Sequence, residues 1–158
     1  MLADLAIWMA GHVSVPLYPT LAADSVRQIL EHSGARLLFA GKLDGWAAMK
    51  PGVPPGLPCI GFPFGSTPEL EGWDDVIART PPLERVAERR ADELATLIYT
   101  SGTTGEAKGV MHSFGNFAWA IDHGTRRVPI GPDDRLLSYL PLAHVAERVL
   151  IEHGLLFK

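Results

Sequence analysis

Apolar residues recur at helical spacing from the first position. Leu2, Leu5, Ala6 and Met9 share one helical face, and Gly11 closes the segment. This helix starts with no capping residue ahead of it, which predicts that sequence is missing upstream. Val13, Val15 and Leu17 then alternate as in a strand, and Pro16 and Pro19 confine that strand to an edge. Thr20 is placed to cap a second helix. Ala22, Val26, Ile29 and Leu30 give that helix its apolar face, and Gly34 stops it. Residues 35–40 read as a short buried strand. Residues 44–50 read as a short helical piece, 59–62 as a strand and 73–79 as a helix. Trp46 and Trp73 read as packing residues. The prolines and glycines of 51–58 make that stretch a loop.

A charged helical segment is expected over residues 83–90, with a mixed-sign, solvated face. Residues 94–98 are a mainly apolar run that predicts a buried strand. Beyond residue 109, Val110 and Met111 continue as extended chain. Phe114, Phe117, Ala118 and Ile121 predict a helix capped by Ser113, with His112 and Asn116 flanking its start. His123, Arg126 and Arg127 fall at its end, where cations are favoured. Residues 131–134 form a turn, and 135–140 read as a strand. A last helix begins at Pro141, with Leu142, Ala146 and Val149 inward. Helices alternating with strands predict an α/β fold, a mostly parallel sheet flanked by helices.

Composition narrows the function. The 158 residues carry a net charge of −4, which argues against a general nucleic-acid or anionic-membrane binder. No apolar run is long enough for a membrane span. The single cysteine, Cys59, cannot form an internal disulfide; it reads as a small apolar packing residue and fits a reducing, cytoplasmic location.

Candidate chemistry concentrates in residues 99–110. The apolar run ends there in Thr100, Ser101, Gly102, Thr103, Thr104, Gly105, Lys108 and Gly109. Glycines admit close approach of a ligand to the backbone. Successive free N–H groups form a concave anion site. Hydroxyls add donors, and Lys108 adds a mobile cation. Ala107 stands before Lys108 and Gly109 after it, so the Walker pattern is not met, and the glycine spacing does not give the dinucleotide fingerprint. A phosphate loop and a plain surface turn are both open on these residues alone. A clamp on an RNA backbone through residues 102–105 is a third reading, disfavoured by the low basic content.

The second candidate is His144, at a helix start after Pro141. A histidine there is either a backbone-bonded structural residue or a neutral ring presented to a ligand. His144 and Glu147 lie three apart, but no third ligand falls at suitable spacing, so a metal centre is not indicated.

The string Tyr-Thr-Ser-Gly-Thr-Thr-Gly-Glu-Ala-Lys-Gly-Val of residues 99–110 resembles the phosphate-loop signature of the AMP-forming adenylating superfamily. It departs at Ala107, where that family usually has proline. Gly11, Val13, Val15, Pro16, Leu17, Tyr18, Pro19, Thr20 and Ser33, Gly34, Ala35 match its usual scaffold. Residues 138–148, with Pro141, Leu142, Ala143, His144, Glu147 and Arg148, are most similar to the long-chain fatty acyl-CoA synthetases.

The resemblance implies a two-step ligase. A fatty carboxylate attacks the α-phosphate of ATP, pyrophosphate leaves, and the coenzyme A (CoA) thiol displaces AMP. It implies phosphate binding by residues 100–105, Lys108 and Gly109, catalytic roles for Lys108 and His144, and magnesium (Mg2+) on Thr104. Glu147 and Arg148 are given structural support of the helix. Residues 1–158 are expected to be part of the large N-terminal domain, truncated at both ends. The mobile C-terminal domain and its adenylating lysine are expected to be absent, leaving little ligase activity and exposed apolar surface that favours self-association. The alternatives are a noncatalytic nucleotide- or phosphate-binding module, and an adenylate-forming enzyme for a different carboxylate.

Overall fold

The computed structural model describes residues 1–41, 44–63, 67–101, 107–128, 131 and 133–154, without the Ser101 side chain. The chain divides into two compact units. One comprises Met1–Tyr18, Val86–Thr100 and Lys108–Lys158; the other comprises Pro19–Arg85 and Ser101–Ala107.

The second unit is built on helix α2 (Ala23–Ser33) and a parallel sheet of β1 (Leu38–Ala40), β2 (Cys59–Gly61) and β3 (Glu71–Gly72), in the order β1-β2-β3. Register runs Leu38 to Cys59, Phe39 to Ile60 and Ala40 to Gly61. Val26, Ile29 and Leu30 are the buried face of α2, as the periodicity predicts. Gly34 ends the helix at φ 63°, a left-handed position that suits glycine. Thr20 is not its cap: the N-cap residue is Ala22, and no side chain caps the helix.

A short helix α3 (Trp46–Met49) runs into a 3-10 turn over Lys50–Gly52. Trp46 is buried, and its Nε1 donates to Glu69 at 2.8 Å. Helix α4 (Trp73–Arg79) begins with Trp73 packed on Phe39 and Phe62, at ring distances of 5.8 and 5.0 Å. Both tryptophans are therefore packing residues. Gly52 is the tightest point of this unit. A Cβ there would lie 2.0 Å from the Ala23 carbonyl oxygen, and backbone cannot swing aside. Gly52→Ala is expected to cost about 1–3 kcal/mol of stability, read as a lowered midpoint in urea.

The first unit begins with α1 (Leu2–Met9). Its inward face differs from the apolar face read from sequence. Leu2 and Met9 are exposed, whereas Asp4 and Trp8, one turn apart, point inward. The apolar count misplaces the face because a charged residue lies on its buried side. Ser14 makes one parallel bridge to Thr96, so the proline-flanked segment contributes a single rung rather than a strand. Residues 83–90 are not helical. Instead Ala87 N donates to Met9 O at 2.8 Å, and the Arg89 guanidinium lies 5.0 Å from the Phe114 ring centre.

Strand β4 (Leu94–Ser101) pairs with β5 (Ala107–Ser113). Five residues join them, too few for a parallel crossover, so the pair is an antiparallel hairpin. Helix α5 (Phe114–Arg127) follows at once. Ser113 caps it as predicted, its Oγ accepting from Asn116 N at 3.1 Å. Ala95, Phe117 and Ile121 form the core, with Trp8, Phe114 and Val149 packed against them.

Residues 135–140 form no strand among the described residues. Leu137 is 82% and Tyr139 76% exposed, so this extended segment lacks the neighbour a strand requires. The last helical segment is α6 (Val145–Glu147), continued by a π-helical turn over Arg148–His153. Its buried residues are Glu147, Arg148, Glu152 and His153, and Leu142 is exposed. The fully buried positions are thus polar; of the three residues expected inward, Leu142 is exposed, Ala146 is half-buried and Val149 packs on the core.

Candidate phosphate-loop site

Of the predicted phosphate-binding residues, the structure places Thr100 on β4 and Lys108 and Gly109 on β5. Thr100 lies exposed near the end of β4. Gly102, Thr103, Thr104 and Gly105 lie outside the described residues, as does the Ser101 side chain. The magnesium assignment to Thr104 therefore has no structural description.

On the far side, Lys108 stands exposed on β5 and makes no hydrogen bond or ion pair with a described residue. A cation with no carboxylate partner among the described residues, close in sequence to a Gly/Thr/Ser segment, fits an anionic phosphate. Gly109 has a packing reason as well. A Cβ there would sit 3.2 Å from Tyr99 Cζ, so the buried Tyr99 ring occupies the space above it. No group of three or more metal-ligating His, Cys, Asp or Glu side chains occurs among the described residues. A depression of about 660 Å³ bounded in part by Gly61, Thr67, Leu70 and Trp73 contains none of the predicted site residues.

His144 is the N-cap of α6. Its Nδ1 accepts from Ala146 N at 3.2 Å, and its own backbone N–H donates to Pro141 O at 2.8 Å. Accepting at Nδ1 places the neutral ring's proton on Nε2. The ring is a capping residue and at the same time an oriented N–H donor, so the two readings are compatible. No described hydrogen bond joins His144 to Lys108.

Beneath it lies a network that sequence reading missed. Arg148 is 0% exposed. Its Nη2 donates to Asp4 Oδ1 at 2.7 Å and to Ser14 Oγ at 3.3 Å, and its Nη1 donates to Leu142 O at 3.3 Å. Ser14 Oγ also donates to Asp4 Oδ1. Arg148 Nε lies 3.7 Å from Glu152 Oε2. Ser138 Oγ donates to Glu147. The available signal was the i, i+4 pair Arg148 and Glu152.

The charges in this network oppose burial. Burial raises the Asp4 carboxyl, but Arg148 and the Ser14 hydrogen bond outweigh it and hold it below its usual range. Burial, then the Asp4 charge, pushes Glu152 up. His153 sits between Trp8 and Phe117, with its ring 4.8 Å from each. Burial first and Arg148 second lower it to about 4. His112, stacked on Phe117 at 5.5 Å, is lowered by the same two causes.

The sequence profile described as AMP-binding enzyme matches residues 1–158. The chain belongs to the AMP-binding enzyme family. Curated relatives of this chain include the long-chain-fatty-acid–CoA ligase FadD15 of Mycobacterium bovis, 37% identical over 156 residues. That match takes in 93% of this chain and 26% of the relative. Another is the peroxisomal long chain acyl-CoA synthetase 7 of Arabidopsis thaliana, 29% identical over 94% of this chain and 23% of its own. The chain thus spans about a quarter of the length of these relatives.

Among solved structures, the O-succinylbenzoate coenzyme A synthetase of Bacillus subtilis, in complex with ATP and magnesium ion, superposes with a TM-score of 0.70. The overlap covers 98% of this chain and 38% of that one, at 22% identity, and carries the fold. No helix among the described residues is long and apolar enough to cross a membrane.

Proposed function

We propose that these 158 residues are the phosphate-loop part of an ATP-dependent, AMP-forming fatty acyl-CoA ligase. The observation that carries the reading is the β4–β5 pair, on which Lys108 stands exposed with no ion-pair partner among the described residues. Identity to a long-chain-fatty-acid–CoA ligase over nearly the whole chain supports the choice of a fatty acid as the carboxylate.

In this reading the difficult step is electrostatic. A carboxylate oxygen attacks the α-phosphorus of ATP, the bond to the bridging oxygen breaks, and pyrophosphate leaves with the charge. Phosphate oxygens repel the incoming anion, so fixed donors and a cation lower the barrier. Lys108, the hydroxyls of Thr100, Ser101, Thr103 and Thr104, and the backbone around Gly102, Gly105 and Gly109 would supply them. Thr104 would help to hold magnesium, which would supply neutralising charge for the leaving pyrophosphate. His144 would offer its Nε2–H to the acyl carboxylate. The CoA thiol then displaces AMP to give the thioester.

Groups that grip ribose and adenine, and the adenylating lysine, are assigned to sequence beyond these residues. The test is ATP–pyrophosphate exchange with palmitate. The full reading frame is expected to catalyse exchange and the isolated 158-residue chain to show little. Clear turnover by the isolated chain would overturn the partial-domain reading. Exchange by the full reading frame with an aryl acid alone would establish a different carboxylate. No exchange with any acid would leave a noncatalytic phosphate-binding module.

A further inference from the structure

We propose that Arg148 is a positioning residue for His144, an inference that rests on the ligase reading for its catalytic consequence. The His144 ring is held locally by Ala146 N, and its backbone is held by Pro141 O and by Arg148 N, which donates to His144 O at 3.1 Å. These bonds shape the turn but do not fix it to the rest of the unit. The Arg148 side chain does. One end of its fork grips Asp4 on α1 and Ser14 on the bridge to β4; the other end reaches Leu142 O, two residues before His144.

A guanidinium is suited to this because it is planar and rigid, so a donor fixed at one nitrogen fixes the others. A lysine ammonium could keep the charge beside Asp4, but it lacks a second nitrogen on a rigid fork to hold Leu142 O. Full burial keeps the fork from exchanging these partners for solvent. The His144 donor is thereby registered against α1 and β4. Trp8 lies under the guanidinium, 6.0 Å from its carbon, and fills the remaining side.

The test uses the full reading frame with Arg148→Lys, His144→Ala and the double variant. Positioning predicts that Arg148→Lys lowers kcat for exchange about tenfold with little change in KM for ATP. In the His144→Ala background the same change is expected to have no further effect. An additive loss in the double variant would overturn the proposal, since a merely structural arginine acts with or without the ring. Asp4→Asn, which releases one end of the fork and keeps its shape, is expected to show the same non-additivity; it decides the matter if Arg148→Lys does not fold.

A second readout is independent of activity. Nitrogen-15 NMR of labelled histidine is expected to show a single Nε2–H tautomer for His144 in the unsubstituted protein and tautomer averaging in the Arg148→Lys or Asp4→Asn variant. An unchanged single tautomer would overturn the positioning role. Absence of exchange in the unsubstituted protein would instead overturn the ligase reading, and the NMR result would still decide the positioning role.

Discussion

Lys108→Ala is expected to lower ATP–pyrophosphate exchange by the full reading frame about 10²–10³-fold, the loss typical of removing one preorganised donor from a developing anion. The structure makes this a sharp test, because no described residue takes a hydrogen bond or ion pair from the Lys108 side chain. Its side chain is exposed, and no carboxylate among the described residues pairs with it. The melting temperature is expected to stay within about 2 °C, as for a surface substitution. The loss should fall on ATP, with the KM for the fatty acid nearly unchanged, since the lysine is assigned to phosphate and not to the acyl chain. Steady-state kinetics with each substrate varied in turn decides this. Equal weakening of both substrates would count against the phosphate role.

The 158-residue chain is expected to lose about 2 kcal/mol of stability between pH 7.5 and pH 5 through His153 alone. The folded-state value of this histidine is about 4, below its ordinary 6.5. An unfolded chain therefore binds the proton more readily below pH 6.5, and falling pH favours unfolding until the folded ring itself titrates near pH 4. The full loss approaches about 3 kcal/mol.

The groups facing the ring fix the sign. Trp8 and Phe117 exclude water, and Arg148 repels a second cation. His112 is lowered too and adds a loss of the same sign. Glu152 works the other way: its raised carboxyl costs stability at neutral pH, and that cost is relieved as pH falls. Asp4 contributes only in stronger acid, because its lowered carboxyl stays ionised through this window. Urea unfolding at the two pH values, compared with His153→Phe, isolates the term. The variant is expected to remove most of the pH dependence; an unchanged dependence would assign it elsewhere.

Elements with a regular period and clear punctuation were legible in the sequence. Helix α2, with Val26, Ile29 and Leu30 inward and Gly34 at its end, and helix α5, with Ser113 as its cap, follow from local patterns that their surroundings reinforce. Segments whose partners are distant were not. Residues 135–140 have the composition of a strand and, among the described residues, no strand beside them. Residues 83–90 have helical charge spacing but follow two prolines and bond across to Met9. Helix α1 turns Asp4 inward against its apolar face, because Arg148, 144 residues away, takes that carboxylate.

By itself the sequence determined the string of residues 99–110 and the placement of His144 at a helix start. Backbone freedom, hydroxyl donors and a cation are local properties that residue type and spacing express directly. Tertiary structure alone decided that β4 and β5 pair, that Gly109 lies under Tyr99, and that a buried arginine ties the His144 turn to α1. Those facts depend on which distant groups meet, and the pairing of a buried charge with a carboxylate far along the chain leaves no period to read.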